Sequence, residues 1–157
     1  MLNNIKLIVY DFDGVMTDNR AIVSEDGKEF VMVCRADGLG VNLIKEIGLP
    51  QMILSTETNS VVEARARKLD IPVIQGVDDK KTALLNYCKD NNYNPSGILY
   101  VGNDVNDEGV MKAVGYSVAT ADAHHSIKSL AKLVLSTKGG RGVVRELADK
   151  LKGYRQH

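Results

Sequence analysis

Asp11-Phe12-Asp13-Gly14-Val15-Met16-Thr17 follows directly on the run Ile5-Lys6-Leu7-Ile8-Val9-Tyr10. The run is apolar and rich in β-branched residues, which predicts a strand buried on both faces. Two carboxylates so close at its end repel each other unless a cation or a shared proton relieves them. Hard oxygen donors suit Mg²⁺ better than zinc. An Asp-Gly pair alone also favours a turn. The choice between a turn and a reactive site rests on what the other strand ends supply.

Working outward, four further β-rich runs repeat at intervals: Gln51–Leu54, 72–74, 97–101 and Tyr116–Ala119, with 133–135 as an edge strand. Helical patterns lie between them. Asp37 reads as the N-cap of a helix carrying Leu39, Leu43, Ile44 and Ile47, stopped by Gly48. Asn59 caps the next, with Val61, Val62, Ala66 and Leu69 on one face. Asp79 starts a third through Leu84, Leu85 and Cys88, and segments 107–114, 123–130 and 142–151 complete the set. Strands alternating with helices predict an α/β fold: a three-layer α/β/α, doubly wound, mostly parallel sheet. No repeat or linker interrupts residues 1–157, so a single domain is expected.

One segment breaks the rhythm. Asp26-Gly27 sits between the β-rich runs Ala21-Ile22-Val23 and Glu29-Phe30-Val31-Met32-Val33. This predicts a β-hairpin over about 20–34, projecting above the C-terminal sheet edge where open α/β sheets bind ligands. A lone hairpin is marginal in water, which favours an assembly contact over a surface decoration.

The other predicted strand ends carry complementary chemistry. Ser55-Thr56 offers hydroxyls and backbone N–H groups for a phosphate oxygen. Lys80 stands at a helix start, where the dipole favours anions. A lysine makes sense there if it neutralises a phosphate or an aspartyl-phosphate. Gly102-Asn103-Asp104-Val105-Asn106-Asp107 adds oxygen ligands opposite the first pair, although alone it also reads as an Asx-rich turn capping a helix. A doubly wound sheet brings these ends together, and the combination is far more specific than any member.

The bulk numbers agree with a soluble enzyme. The chain has 157 residues, 44 % apolar and 25 % charged, enough for one hydrophobic core. Its 20 basic and 20 acidic residues cancel, which gives no electrostatic reason for a nucleic-acid or membrane partner. No apolar run reaches the length of a membrane span. The first ten residues lack a signal-peptide pattern, and the 2 cysteines, Cys34 and Cys88, are too few for a disulfide framework. Both read as small buried residues and the methionines as core filling, and a cytoplasmic location is expected.

Asp11-x-Asp13, Ser55, Lys80 and Gly102-Asn103-Asp104-x-x-Asp107, in that order, resemble the haloacid dehalogenase superfamily of phosphatases. The resemblance covers nearly the whole chain. With no large cap domain, the chain is most similar to the branch holding 3-deoxy-manno-octulosonate 8-phosphate and nonulosonate 9-phosphate phosphatases. The same domain type ends some acylneuraminate cytidylyltransferases. Segments 35–40, 55–59 and 138–146 carry the local matches. The resemblance implies Asp11 as nucleophile and metal ligand, and Asp13 as general acid and base with its carbonyl on Mg²⁺. It implies Ser55 on the phosphoryl oxygens, Lys80 neutralising charge, and Asn103, Asp104 and Asp107 completing the metal site. The chain departs from the family at Asn103, where aspartate is usual. Asparagine keeps a carbonyl oxygen but no charge, and Asp104 is the alternative ligand.

Substrate selection is expected after the second strand. The octulosonate enzymes carry Thr-Gly-Arg where this chain has Ser55-Thr56-Glu57. Glu57, Arg65 and Lys68 resemble the nonulosonate pattern. The last two share a helix face and read either as a solvated surface or as a site for the substrate carboxylate. Thr17, Thr56 and Arg141 join this substrate-binding group. The preferred substrate is a nonulosonate 9-phosphate, followed by octulosonate 8-phosphate. The resemblance also implies a homotetramer built on the hairpin, and the terminal position of Tyr154 to His157 makes them either mobile or assembly-dependent. His124 and His125 read as a surface or cap feature. Two rival readings stand beside the phosphatase. One is a non-catalytic assembly domain, favoured by Asn103; the other is a receiver-like phosphorylation switch, disfavoured by the Asp-x-Asp-Gly spacing and the hairpin.

Overall fold

The computed structural model describes residues 4–155. In chain order the first elements are β1 (Leu7–Tyr10), β2 (Thr17–Val23), β3 (Glu29–Val33), α1 (Arg35–Glu46), β4 (Gln51–Leu54) and α2 (Ser60–Leu69). Then come β5 (Val73–Ile74), α3 (Lys80–Asp90), β6 (Ile98–Gly102), α4 (Glu108–Ala113), β7 (Tyr116–Ala119), α5 (His125–Leu130), β8 (Leu133–Val134) and α6 (Val143–Arg155).

Six strands form one parallel sheet in the order β5-β4-β1-β6-β7-β8. Ile8 and Tyr10 of β1 join the core shared with α1, α2 and α6, while Leu7 and Val9 join the core shared with α3, α4 and α5. Both faces of β1 are therefore apolar, which is why its sequence runs without polar alternation. The chain steps outward from β1 to β4 and β5, then returns to β6 on the other side. The strand order reverses between β1 and β6, and a crevice opens there at the carboxyl ends of the strands. The expected α/β/α doubly wound fold is what the structure has.

The expected caps of α2 and α3 hold: Asn59 accepts from the Val61 N–H at 3.1 Å and Asp79 from the Lys81 N–H at 2.9 Å. His124 likewise caps α5. The cap expected of Asp37 does not hold. Helix α1 starts three residues earlier than expected, with Cys34 at the N-cap position, and Asp37 is buried inside its first turn. Its Oδ1 accepts from the Val144 N–H at 2.9 Å, so it caps the neighbouring α6 instead. An aspartate near a helix start carries the same sequence signal whether the orphan N–H groups are its own or a neighbour's. The shift re-aims the helix: Gly40, Val41 and Ile44 face inward, whereas Leu39 is 57 % exposed. Gly40 is needed for close packing, because a Cβ there would lie 2.7 Å from the Val144 carbonyl oxygen.

The hairpin is longer than expected. Its turn is the one predicted, with Gly27 at φ 81° and Ser24 N–H donating to the Lys28 carbonyl at 2.9 Å. The ladder continues to Thr17↔Val33 through an irregularity between Thr17 and Ala21, where Asn19 takes φ 66°. Val31 and Val33 pack on the core, and Asn59 Nδ2 donates to Glu29 Oε2 at 3.1 Å, tying the hairpin to α2. The outer face is apolar and open: Ile22 is 71 % and Met32 73 % exposed. Met32 thus departs from the core role expected of methionines, and Cys34 is only half-buried. The side chains of the tail expected to be mobile or assembly-dependent, 154–157, lie outside the described residues. No described helix is long and apolar enough to cross a membrane.

Candidate active site

β1 delivers Asp11 to the crevice, and the start of α3 delivers Lys80 from a covering helix. Lys80 is 2 % exposed and its Nζ lies 2.8 Å from Asp11 Oδ1 and 2.7 Å from Asp107 Oδ1. A buried ammonium between two buried carboxylates is a geometry in which each charge offsets the desolvation of the others. Burial alone would lower the Lys80 pKa, but Asp11 and Asp107 outweigh it and hold the amine above its usual value. Burial and then the Asp107 carboxylate push Asp11 up to about 7, against the pull of Lys80.

The loop after β6 faces this triad. One end of the Asn103 side-chain amide lies 2.9 Å from the Asp13 carbonyl oxygen and 3.0 Å from Asp11 Oδ2. Among the described residues no three Asp, Glu, His or Cys side chains gather as a metal cluster. The convergence is mixed: a carboxylate, a backbone carbonyl and a side-chain amide. Its spacing matches the edge of an octahedron of oxygens at about 2.1 Å from Mg²⁺, roughly 3.0 Å. Asp11, Asp13 through its carbonyl, and Asn103 therefore fit a small hard dication.

The other expected ligands stand further back. Asp104 is exposed, and its Oδ1 accepts from the Val105 N–H at 2.7 Å. Asp107 is fully buried and accepts four hydrogen bonds: from Lys80, from Tyr100 Oη at 2.7 Å, and from the Asn103 and Asp104 N–H groups at 2.8 and 3.2 Å. These use all its acceptor positions, so Asp107 aims Lys80 and fixes the Asn103 loop. Sequence reasoning overlooked Tyr100. Its signal was a tyrosine inside an otherwise apolar central strand, where the hydroxyl must find a partner.

Asp13 is half-buried at the mouth. Burial, and then the Glu57 carboxylate, raise its pKa. Thr17 is buried; its Oγ1 accepts from the Gly14 and Asn19 N–H groups and donates to Asp13 Oδ1 at 3.4 Å. Thr17 is thus engaged in the loop and orients Asp13. Ser55 Oγ accepts from the Glu57 N–H at 3.1 Å, which leaves its own hydrogen to donate. A cleft of about 200 Å³ joins these groups, lined by Asp11, Asp13, Ser55, Thr56 and Asn103 and also by Asn19, another residue overlooked in the sequence. Asn19 was findable only as a residue type that tolerates positive φ.

A second hollow of about 300 Å³ continues from the cleft toward the hairpin and is lined by Asp13, Arg20, Glu29, Glu57 and Asn59. Glu57 Oε1 accepts from the Thr58 and Asn59 N–H groups at 3.0 and 3.2 Å. Arg65 and Lys68 are not gathered here. Arg65 Nη2 donates to the Cys34 carbonyl at 3.0 Å, bracing the start of α1, and Lys68 is exposed on α2. Arg141 is exposed and lines neither hollow. Its neighbours matter more: Gly139 and Gly140 lie so close to Gly14, Thr17 and Asp18 that a Cβ on either would overlap that backbone. Gly140 N–H donates to the Val15 carbonyl at 3.0 Å, so this loop clamps the turn behind Asp11.

The profile of haloacid dehalogenase-like hydrolases matches residues 50–147. The chain belongs to this family. As a haloacid dehalogenase-like hydrolase of the phosphatase type, it has similar relatives over most of its length. It is 35 % identical over 147 residues, 93 % of this chain and 79 % of the relative, to 3-deoxy-D-manno-octulosonate 8-phosphate phosphatase KdsC of Yersinia pestis. A haloacid dehalogenase family hydrolase from Streptomyces avermitilis superposes with TM-score 0.91 at 48 % identity, over 93 % of this chain and 84 % of that one. The octulosonate phosphatase of Moraxella catarrhalis, solved with magnesium, phosphate and KDO, superposes with TM-score 0.91 at 29 % identity, over 96 % and 87 % of the two chains.

Proposed function

We propose that this phosphatase hydrolyses the phosphomonoester of a 3-deoxy-2-keto sugar acid through an aspartyl-phosphate on Asp11. The observation that carries the reading is Lys80 Nζ bridging Asp11 and Asp107 at 2.8 and 2.7 Å, beside an open cleft that also holds Asp13 and Ser55. In the first displacement Asp11 attacks phosphorus, and the bond to the sugar oxygen breaks as Asp13 gives that oxygen its proton. In the second, water attacks phosphorus, its proton passes to Asp13, and Asp11 leaves as a carboxylate. A raised Asp13 pKa helps it hold a proton for the first step. Lys80 and the Ser55 hydroxyl offset charge on the transferring group without reorganising. Asp11, the Asp13 carbonyl and Asn103 would hold Mg²⁺, which when bound supplies positive charge at the phosphoryl group. Asp104 and Asp107 support this set from behind.

The named relatives favour octulosonate 8-phosphate as substrate. Glu57 favours a second reading, a nonulosonate 9-phosphate, because a carboxylate in the outer hollow accepts hydrogen bonds from hydroxyls and repels a second anion. A phosphate-release panel with both sugar acids, with and without Mg²⁺, tests both. Glu57→Arg should move the preference toward the eight-carbon acid; an unchanged ratio would remove Glu57 from the argument. Asp11→Asn should end turnover with either substrate.

The open apolar face of the hairpin supports assembly into a homotetramer that covers it. A chain that runs as a monomer at all concentrations in light scattering would refute this part. Residues 1–157 acting as one catalytic domain, in the cytoplasm, complete the proposal. The assembly-only alternative rests on Asn103 and fails if Mg²⁺-dependent turnover is seen.

A further inference from the structure

The Asn103 amide stands where it can serve two states of the site, and the geometry points to a half-turn between them. This inference rests on the reading of Asp11, the Asp13 carbonyl and Asn103 as a cation site. The inner end of the amide meets two acceptors, the Asp13 carbonyl at 2.9 Å and Asp11 Oδ2 at 3.0 Å, while its outer end faces only donors. Nitrogen inward, Asn103 donates to both oxygens and holds them together with no cation between them. Oxygen inward, the same end joins the other two as a third ligand. A half-turn about the last side-chain bond exchanges these states without moving the backbone, since amide nitrogen and oxygen occupy nearly the same space.

The turn leaves the main chain in place, but it sets the outer NH₂ against donors, a cost that the cation's attraction for the inward oxygen must exceed. The main chain of Asn103 is fixed from both sides: its N–H donates to Asp107 Oδ2 at 2.8 Å and its carbonyl accepts from the His124 N–H at 2.8 Å. Gly14, at φ 83°, leaves room for the outer end of the amide, because a Cβ there would overlap it. Asn103 is itself only 8 % exposed, so water does not readily replace either set of partners. An aspartate at this position could only play the ligand. Without a cation it would set a further negative charge beside Asp11, with Lys80 already shared between Asp11 and Asp107. Asparagine therefore lets the chain keep a satisfied site without metal, at the cost of weaker metal binding.

Three readouts that do not depend on turnover test this. In EDTA, Asn103→Asp should melt lower than the unaltered chain by at least about 4 °C, as expected for losing two hydrogen bonds, one of them to a carboxylate, and adding repulsion. In saturating Mg²⁺ the variant should recover, and by calorimetry it should bind Mg²⁺ at least about tenfold more tightly. Asn103→Ala should melt lower in EDTA and also bind Mg²⁺ more weakly. The side-chain NH₂ resonances of Asn103, assigned by their loss in Asn103→Asp, should shift on titration with Mg²⁺ at the calorimetric midpoint. Equal melting of Asn103→Asp and the unaltered chain in EDTA would overturn the inference. So would Asn103 resonances that stay fixed while Mg²⁺ binds. If the unaltered chain binds no Mg²⁺ at all, the cation-site reading falls first and takes the half-turn with it.

Discussion

The strand-end cluster and the hairpin sit next to each other and are built on opposite terms. Asp11, Lys80, Asp107 and Tyr100 are buried, and each polar group is fixed by named partners at 2.7–2.8 Å. The outer face of β2 and β3 carries apolar side chains without a partner among the described residues, with Phe30 56 % and Ile22 71 % exposed. Buried charges are costly to misplace, so the first region tolerates one arrangement. Exposed apolar groups cost little singly, so the second is free to adapt to whatever covers it. In the proposed function, chemistry belongs to the first region and enclosure through assembly to the second.

Substitutions should respect that contrast. The largest effect on activity is expected for Asp11→Asn, at least about 10⁴-fold in kcat, as for the loss of a covalent nucleophile. Circular dichroism of this variant should match the unaltered chain. Lys80→Met should be the most damaging to stability, lowering the unfolding free energy by about 3–5 kcal/mol at pH 8, because two buried carboxylates lose their counter-charge. The loss should be smaller at pH 5, where one of them holds a proton; urea titrations at the two values measure it.

A pH effect of intermediate size separates the two regions again. Folded Asp11 keeps its proton up to about pH 7, whereas the unfolded group releases it near 3.8. Between those values the native state binds more protons, so in EDTA stability should fall as pH rises from about 4 to 7. Asp37, pushed up by burial to about 6, adds a decline in the same direction. Asp11→Asn should flatten the first part, and hairpin substitutions should leave it unchanged. Glu146 acts at the other end: partial burial pushes it up, but hydrogen bonds from Thr137 and Ser136 outweigh this and bring it to about 2. Its contribution is present above about pH 4.5 and is lost as pH falls through 2, so Glu146→Gln should matter least in strong acid.

The smallest effect on the isolated fold belongs to the hairpin. Met32→Ser should change chain stability by less than about 0.5 kcal/mol at a concentration where the chain is monomeric. Any tetramer should weaken markedly, and light scattering reports it. A loss of several kcal/mol in the monomer would mean the hairpin is part of the core after all.

The same contrast explains what was legible in the sequence. Continuous apolar runs marked β1, β4 and β6 because central parallel strands are buried on both faces. Asp11, Asp13, Ser55, Lys80 and Asn103 were visible because each stands directly at the end of a strand or the start of a helix. Tyr100 and the Gly139-Gly140 clamp were not, since their partners come from distant segments and leave no local pattern. Asp37 misled for the same reason: its partner is Val144, 107 residues away. Arg65 looked available because helix spacing reveals a shared face but not a carbonyl waiting across it. The fold was thus almost wholly legible, and the candidate site was legible in the groups proposed to react and obscure in their supports.

The central claim is tested most directly by rapid acid quench of the enzyme turning over octulosonate 8-phosphate or nonulosonate 9-phosphate in Mg²⁺, followed by peptide mapping. The account predicts a phosphoryl group on the side chain of Asp11, absent in Asp11→Asn. Turnover with no phosphorylated peptide at any quench time, or turnover retained in Asp11→Asn, would contradict it.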